Sequence, residues 1–359
     1  MTQVQIDQMC VDDTYSLERA IARMDEGRRG IVLVIDAGRR LVGTITDGDV
    51  RRAILAKTKM DTPVRDLLLR KAGTEFERPI TAPEGTDPQV CFQLIQSHRV
   101  THLPLIDDQG RPVGLVTQED FLPHAAAGLQ AFVMAGGAGA RLMPLTQDMP
   151  KPMLPIGDRP LMEILISRLR EAGIRRVNVS LNYKADQISN HFGDGARFGV
   201  DLSYVTEDRP LGTAGALGLV ETPRDTVLVI NGDILTHVDF GAMVSFHREH
   251  RADLTMALRQ YDVEVRYGVV ECSGARIEAL REKPVFNLFV NAGIYLLEPI
   301  VYQYIPNGTR FDMTDLVQKV MDAGCNVCGF PIREYWLDIG QRQDYDLAQQ
   351  YAADGSVSK

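Results

Sequence analysis

The sequence predicts an α/β protein in two parts, a repeated module of short strands and helices followed by a larger domain on a mostly parallel sheet. Three observations predict this class. Apolar runs alternate with helical spacings, a set of residues recurs at a constant offset in the first third, and a glycine-rich turn follows an apolar run near the middle. With 359 residues, the chain is long enough for two or three domains.

Composition and charge exclude several classes of protein. A net charge of −9 argues against binding of nucleic acid through a basic face. No apolar run approaches the ~18 residues of a membrane span, and the first ten residues lack the basic and apolar regions of a signal peptide. The five cysteines are sparse and odd in number, which is typical of a reducing compartment. We therefore expect a cytoplasmic protein with neither nucleic-acid nor membrane partners.

The first third contains two copies of one unit, which align at an offset of 71 positions without a gap. The matching pairs are Ile35-Asp36 with Ile106-Asp107, Val42-Gly43 with Val113-Gly114, Thr46 with Thr117, and Asp49 with Asp120. The pattern predicts an amphipathic helix in each copy, on Leu17, Ala20, Ile21 and Met24, and on Val90, Phe92, Leu94 and Ile95. Strands are predicted at 31–35, 41–45, 103–106 and 112–116. Each copy then has a threonine placed as the N-cap of a further helix.

Residues 1–60 and 61–124 resemble a tandem pair of CBS domains, a family named for cystathionine β-synthase. The resemblance implies an adenine-nucleotide ligand. Its contacts in the two copies would be Thr46, Asp49, Arg51, Thr117 and Asp120. The second copy lacks the pair Arg51-Arg52 that follows Asp49 in the first copy. As an alternative, these residues only cap helices and the module is a dimerisation scaffold. We interpret residues 57–77 as a linker between the copies and residues 125–129 as the linker to the next domain.

A glycine-rich segment follows the apolar run at 131–134. Gly136, Gly137 and Gly139 would let the backbone N–H groups approach a polyphosphate closely. Arg141 and Lys151 add the positive charge that such a ligand requires. The segment has neither the Lys-Ser/Thr of a P-loop nor the spacing of a dinucleotide fingerprint.

The remaining residues alternate between strand-like and helical patterns. Apolar, β-branched runs predict strands at 175–181, 227–231 and 254–259. Helical spacing at 161–172 predicts a helix with its buried face on Leu161, Ile164, Leu165 and Leu169. The alternation predicts a mostly parallel sheet with helices on both faces, and ligands at the carboxyl ends of its strands.

Residues 130–351 resemble the sugar-1-phosphate nucleotidyltransferases. The stretch GGAGARLMPLTQDMPKPMLPIGDRP, from residue 136 to 160, matches the family signature without a gap. Six further segments follow in the family's order: EDRPLGTAGA at 207–216, NGD at 231–233, YGVV at 267–270, EKP at 282–284, NAGIY at 291–295 and WLDIG at 336–340. The resemblance implies a Rossmann-like mixed sheet and an enzyme that joins an NTP to a sugar 1-phosphate with release of pyrophosphate.

The resemblance also assigns roles to particular residues. Arg141 would hold the departing pyrophosphate, and Lys151 would bridge the attacking phosphate and the α-phosphate. Asp233 and Asp338 would hold Mg²⁺, although an aspartate after a strand can also be a simple turn former. The other implied contacts are Gly136, Gly137, Gly139, Glu207, Gly212 and Thr213 for the nucleotide, and Gly268, Glu282, Lys283 and Asn291 for the sugar phosphate.

Glu207 favours GTP as the nucleotide. A carboxylate can accept both N1–H and N2–H of guanine, whereas uracil and thymine present one N–H that an amide reads better. Fusion to CBS domains resembles glucosamine-1-phosphate guanylyltransferases of nonulosonic (legionaminic-type) acid pathways, which would make GDP-glucosamine. The alternatives are a mannose-1-phosphate guanylyltransferase, a uridylyl- or thymidylyltransferase, and a non-catalytic nucleotide-sensing subunit.

Three smaller features complete the expectations. Cys325 and Cys328 form a CxxC in an apolar setting without a second ligand pair, and we interpret them as core residues rather than a zinc or redox site. Residues 352–359 are interpreted as a polar tail. A homo-oligomer is expected.

Overall fold

The computed structural model describes residues 3–74, 76–121, 126, 128–137 and 139–354. The chain divides into two compact units, Met1–Ala125 and Ala126–Lys359, which are described separately. The predicted linker 125–129 and tail 352–359 lie partly outside the described residues. None of the helices in the described ranges is long and apolar enough to span a bilayer.

The N-terminal unit contains two three-stranded sheets, β1-β2-β3 and β4-β5-β6. Its elements are α1 Gln3–Met9, β1 Cys10–Asp12, α2 Leu17–Gly27, β2 Ile31–Ile35, β3 Leu41–Thr46, α3 Asp47–Leu55, α4 Val64–Leu69, β4 Ala82–Pro83, α5 Pro88–His98, β5 His102–Ile106 and β6 Pro112–Thr117. In each sheet the first pair of strands is parallel and the second antiparallel.

The structure confirms the repeat down to its irregularities. Strand β2 pairs with β3 with a register shift after Val34, and β5 pairs with β6 with the same shift after Leu105. Asp36 and Asp107 each accept two backbone N–H bonds in the turn that follows. The two copies therefore share one backbone plan.

The structure corrects three expectations in this unit. Residues 57–77 contain the helix α4, whose Val64 and Leu67 are buried, so this segment belongs to the core. The helix α5 was expected to bury Val90, but Val90 is 45% exposed and the buried residues are Cys91 and Ile95. The helix is rotated so that the small apolar side chain of Cys91 faces the sheet. Thr117 begins a single 3₁₀ turn, Gln118–Asp120, instead of a longer helix.

The C-terminal unit is built on a seven-stranded sheet with the order β11-β10-β7-β12-β17-β14-β18. Its strands are β7 Gln130–Met134, β8 Pro155–Ile156, β9 Arg159–Pro160, β10 Arg176–Leu181, β11 Asp201–Thr206, β12 Val227–Asn231, β13 Ile234–Thr236, β14 Leu254–Glu264, β15 Val269–Ser273, β16 Arg276–Arg281, β17 Val285–Leu297, β18 Val327–Ile332 and β19 Trp336–Asp338. Its helices are α6 Leu161–Glu171, α7 Ala185–Phe192, α8 Gly212–Gly215, α9 Phe240–Glu249, α10 Met313–Asp322 and α11 Arg342–Ala353.

Of the seven strands, β17 alone runs antiparallel to its two neighbours, so the predicted mixed sheet is confirmed. Alternate side chains of β7 enter two different cores, Ala131 and Val133 on one face and Phe132 on the other. The predicted apolar positions of α6 are buried at 0–3% exposure. The parallel strands β7, β10 and β12 end at the same edge, where the predicted glycine-rich loop begins.

Candidate active site

Lys151 and two aspartates meet beyond the carboxyl end of β12. Lys151 lies in a single 3₁₀ turn between two prolines and is 7% exposed. Its Nζ donates to Asp233 Oδ2 and lies 3.8 Å from Asp338 Oδ1. The aspartates are brought together by the antiparallel pair β13–β19, in which Ile234 is opposite Asp338 and the Ile339 N–H donates to the Asp233 carbonyl at 3.1 Å.

The two carboxylates retain hydrogen-bonding capacity that the described protein atoms do not use. Among the residues in the described ranges, Asp233 Oδ1 and Asp338 Oδ1 are buried without a hydrogen-bond partner. Burial and then the charge of Asp233 raise the pKa of Asp338 above its ordinary value, against the opposing charges of Lys151 and Arg141. A buried unsatisfied carboxylate oxygen is costly unless a ligand completes it.

This pair of carboxylates fits a magnesium ion. Mg²⁺ in phosphoryl-transfer sites is held by one or two carboxylates, with substrate phosphates and waters supplying the other oxygens. In the part of the chain that the structure describes, no cluster of three or more His, Cys, Asp or Glu side chains could hold a metal by itself. Asp233 and Asp338 would thus hold the ion only together with substrate.

Two of the three predicted loop glycines lie against other side chains. A Cβ on Gly136 would lie 2.8 Å from Glu207 Oε1. Gly139 has φ +63°, and a Cβ on it would lie 2.8 Å from Cγ2 of Thr146. By contrast, a Cβ on Gly137 would meet no described atom within 4 Å. Of these glycines, Gly137 therefore has open space beside it for a ligand.

Arg141 lies on the exposed side of this loop. With Gln341, Arg342 and Gln343 it lines an open cleft of about 440 Å³. A Cβ on Gly340 would be 3.9 Å from Arg141 Nη1 and 3.8 Å from Asp338 Oδ1, so Arg141 and Asp338 both lie next to Gly340. The sequence reasoning missed the three cleft residues at 341–343. Their position directly after the WLDIG segment, at the start of α11, was the available signal.

Glu207 is buried at 7% exposure and holds a turn. Its Oε2 accepts the Leu211 N–H at 2.9 Å, while its backbone carbonyl accepts Asn182 Nδ2 at 2.8 Å. The other carboxylate oxygen lies against Gly136. One oxygen thus has a structural task, and the recognition of guanine by Glu207 stays a prediction.

Gly212 and Thr213 contact the start of α10. Thr213 N–H donates to Asp312 Oδ1 at 3.0 Å, and the Met313 N–H donates to Thr213 Oγ1 at 2.7 Å. Gly212, at φ +79°, lies so close that a Cβ would be 2.5 Å from Asp312 Oδ1. Sequence reasoning missed Asp312, which bonds to Thr213 and lies against Gly212.

The predicted sugar-phosphate residues lie on and beside β15–β17. A Cβ on Gly268 would be 3.1 Å from Glu282 Oε2, so these two residues are neighbours, and Lys283 follows at φ +43°. Asn291 donates to the Tyr295 hydroxyl at 2.5 Å and accepts the Gly293 N–H at 2.9 Å. Within the described residues, none of these hydrogen bonds or close approaches reaches the Lys151 cluster.

The CBS residues form capping boxes at Thr46–Asp49 and at Thr117–Asp120. Asp49 also accepts from Lys71 at 2.6 Å and Arg52 at 2.8 Å. Burial alone would raise the pKa of Asp49, but Lys71, the Thr46 N–H and Arg52 outweigh burial and hold it below its ordinary value. Asp120 lies 3.5 Å from Arg29. Arg51, at 1% exposure, pairs with Asp47 at 2.5 Å. Both pairs therefore cap the start of a helix, and the nucleotide role stays a prediction.

Cys325 and Cys328 are partly buried and pack against the two cores of the sheet. Cys325 Sγ lies 3.5 Å from the Tyr304 hydroxyl, and Cys328 Sγ donates to Asn326 Oδ1 at 3.6 Å. Burial raises the pKa of Cys328. These contacts agree with a packing role.

Comparison with known families matches both units. Residues 130–355 match the nucleotidyl transferase family, and residues 3–56 and 61–126 each match the CBS domain. A mannose-1-phosphate guanylyltransferase from Mycobacterium tuberculosis is 35% identical over 60% of this chain and 62% of its own length. A UTP–glucose-1-phosphate uridylyltransferase from Synechocystis is 34% identical over 60% of this chain and 61% of its own. The matches thus span about three fifths of these two relatives.

Other relatives are matched along almost their whole length. A D-glycero-α-D-manno-heptose 1-phosphate guanylyltransferase from Aneurinibacillus thermoaerophilus is 32% identical over 62% of this chain and 97% of its own. Among solved structures, a putative glucose-1-phosphate thymidylyltransferase from Bacillus anthracis has a TM-score of 0.52 at 25% identity, covering 63% of this chain and 96% of its own. HddC from Yersinia pseudotuberculosis has a TM-score of 0.50 at 26% identity, covering 62% and 99%.

Proposed function

The chain belongs to the nucleotidyl transferase family and carries two CBS domains, and from that premise we propose that it transfers a nucleotidyl group from an NTP to a sugar 1-phosphate. The observation that carries the proposal is the cluster of Lys151 with Asp233 and Asp338. It combines a buried ammonium with two carboxylates whose Oδ1 atoms have no hydrogen-bond partner among the described residues. A protein that only bound nucleotides would have no need of such an arrangement.

In the proposed reaction, a phosphate oxygen of the sugar 1-phosphate attacks the α-phosphorus of the NTP. The new P–O bond forms as the bond from the α-phosphorus to the bridging oxygen breaks, and that electron pair leaves with pyrophosphate. Such displacements depend on alignment and charge stabilisation more than on covalent chemistry. Mg²⁺, held by Asp233 and Asp338 with the substrate, would supply further positive charge to the phosphates.

Two cationic side chains of the protein, Lys151 and Arg141, would stabilise the charge of the reacting phosphates. Lys151 is held rigidly by its prolines and by burial, so its ammonium is positioned to stabilise charge where the attacking and α-phosphates meet. Arg141 lies on the exposed side, next to the open cleft, where it would hold the departing pyrophosphate. The open space at Gly137 leaves room for the triphosphate next to the loop backbone.

For the substrates, we propose GTP and glucosamine 1-phosphate, giving GDP-glucosamine for nonulosonic (legionaminic-type) acid or other surface glycans. Two of the named relatives are guanylyltransferases, which supports GTP, and the uridylyl relative of similar identity supports the alternative. Mannose 1-phosphate is the second choice of sugar. We further propose a cytoplasmic location.

The deciding experiment is a matrix of the four NTPs against glucose, mannose, glucosamine and N-acetylglucosamine 1-phosphates. Pyrophosphate release is measured with Mg²⁺ and with EDTA. We expect release with GTP and glucosamine 1-phosphate, and its loss when EDTA removes the metal. Preference for UTP or dTTP would contradict the role of Glu207. No turnover in any combination would favour the non-catalytic sensing subunit.

A further inference from the structure

The loop 143–150 connects the two cations of the proposed active site, since Arg141 lies just before it and Lys151 directly after it. Five of its eight residues are exposed, and Thr146 and Pro150 are the two that are buried. So little buried surface does not hold a loop in one conformation. The position of Lys151 relative to Arg141 therefore depends on the hydrogen bonds that fix this loop.

The chain between β10 and the first turn of α7 supplies hydrogen bonds to this loop. Its side chains donate to three consecutive backbone carbonyl groups, Tyr183 to Thr146 at 3.2 Å, Lys184 to Gln147 at 2.5 Å and Gln187 to Asp148 at 2.9 Å. We call Tyr183, Lys184 and Gln187 the clamp. The bond from the lysine ammonium is charge-assisted and is the strongest of the three. Because the three carbonyls are successive, the clamp fixes both the position and the direction of the loop.

The clamp is connected to Lys151 through the buried residue Thr146, whose carbonyl it holds. Thr146 is 0% exposed, and its Oγ1 donates to the Gly139 carbonyl at 2.9 Å. A Cβ on Gly139 would in turn lie 3.2 Å from Lys151 Cβ. The same turn after β10 also bonds to the predicted nucleotide segment, because Asn182 Nδ2 donates to the Glu207 carbonyl at 2.8 Å. This turn is thus placed to fix the loop and the nucleotide segment relative to each other.

Lys184 has a left-handed backbone, with φ +50° and ψ +41°, at the N-cap of α7. A residue with a Cβ is strained in this conformation, which glycine adopts at little cost. Within residues 185–192, which the structure describes, no backbone N–H bonds to the Lys184 side chain, so the lysine does not cap the helix either. Local preference therefore opposes a lysine at this position, and its hydrogen bond to the Gln147 carbonyl offsets that cost. Strain of this kind is concentrated at functional sites.

We propose that the clamp positions Lys151 for the transferase reaction by holding the loop 143–150 in one conformation, an inference that rests on the proposed function. The side-chain hydrogen bonds of the clamp in the described residues end on loop carbonyls, so its members are positioning residues that act through Lys151. Loosening the loop lowers kcat, because the ammonium is then misplaced where charge develops. KM for the sugar 1-phosphate changes little, because the other predicted contacts of that substrate lie on and beside β15–β17.

Lys184→Gly in the full chain separates positioning from stability, because it relieves the left-handed backbone while removing the donor. We expect a Tm within about 3 °C of the wild type. The kcat of pyrophosphate release should fall at least about fivefold, with KM for the sugar 1-phosphate within about twofold. Lys184→Arg keeps a cationic donor and should restore most of kcat, and Gln187→Met, which removes a neutral donor, should also lower kcat. Arg251→Gly is the matched control, since Arg251 is an exposed cation at φ +47° outside the site, and its variant should keep the wild-type kcat.

Two further measurements test the route through Lys151. Adding Lys184→Gly to Lys151→Met should cause no further loss of kcat, because the clamp acts through that lysine. A loss that multiplies with that of Lys151→Met would overturn the proposal, as would an unchanged kcat in Lys184→Gly.

Hydrogen exchange without substrate tests the clamp independently of activity. The N–H groups of Leu145 and Gln147, bonded within the loop at 2.9 and 3.0 Å, should exchange at least about tenfold faster in Lys184→Gly. Unchanged exchange would show that the clamp does not hold the loop and would overturn the proposal. A wild type without turnover would contradict the proposed function instead, and the exchange result would then decide by itself whether the clamp holds the loop.

Discussion

Two aspartate clusters, one in each unit, look equally functional in the sequence but differ in how their oxygens are used. Asp49 accepts from Thr46, Lys71 and Arg52, so its carboxylate is saturated by its own chain. Asp233 and Asp338 share Lys151 and each keep a buried oxygen without a donor among the described residues. The comparison teaches that the motif alone does not identify a ligand site. The unused hydrogen-bonding capacity of Asp233 and Asp338 is the observation that supports the proposed metal site.

The largest expected effect separates the two lysines of these clusters. Lys151→Met should lower kcat/KM by at least ~10²-fold, because it removes positive charge from the transition state. Lys71→Met should leave kcat/KM unchanged but destabilise the N-terminal unit by about 1–3 kcal/mol, because Asp49 loses a buried partner. Pyrophosphate release and urea denaturation measure the two quantities. A loss below tenfold in a folded Lys151→Met variant would show that the assigned role is wrong.

A smaller effect concerns regulation through the N-terminal unit. If an adenine nucleotide binds there, it must compete with Lys71 and Arg52 for Asp49, so we expect weak binding and a few-fold change in turnover. Calorimetry of the full chain with AMP, ADP and ATP measures the affinity, and Asp49→Ala should abolish binding. Thr58→Ala provides a control in the same unit, outside the predicted contacts. Absence of binding below millimolar concentration would leave helix capping as the role of Thr46 and Asp49.

The smallest effect is a pH-dependent stability difference at Asp338. Because the pKa of Asp338 is raised in the folded state, its stabilising contribution is complete below the unfolded value of about 3.9 and is lost as pH rises through the folded value. Asp338→Asn should therefore raise the Tm near neutral pH in EDTA. The gain in free energy of unfolding should be below about 1 kcal/mol, because the side chain of Asp338 is half exposed.

Thermal unfolding from about pH 4 to 8 measures this difference, which should vanish toward the acidic end. Asp201→Asn, at the exposed start of β11, is the control and should show no such trend. A lower Tm for Asp338→Asn at neutral pH would show that Lys151 and Arg141 stabilise the ionised aspartate more than burial and Asp233 destabilise it.

Local patterns determined much of the architecture before any contact was known. The offset of the repeat, the apolar face of α6 and the alternation of strands and helices are short-range signals, and the structure confirms each of them. The predictions were less accurate where the burial of a segment depended on contacts with residues distant in the chain. The helix α4 was missed because its six residues are too short for a periodic signal, although Val64 and Leu67 enter the core.

The sequence by itself determined which residue types are present and in what order, and that was sufficient for the family and the fold class. Only the tertiary structure decided how they are used. It paired Ile234 with Asp338 to bring the two aspartates to Lys151, assigned one Glu207 oxygen to the Leu211 N–H, and saturated Asp49 with Lys71. The physical reason is that hydrogen-bond saturation and burial depend on groups far apart in the chain. Residue spacing along a strand or helix cannot report them.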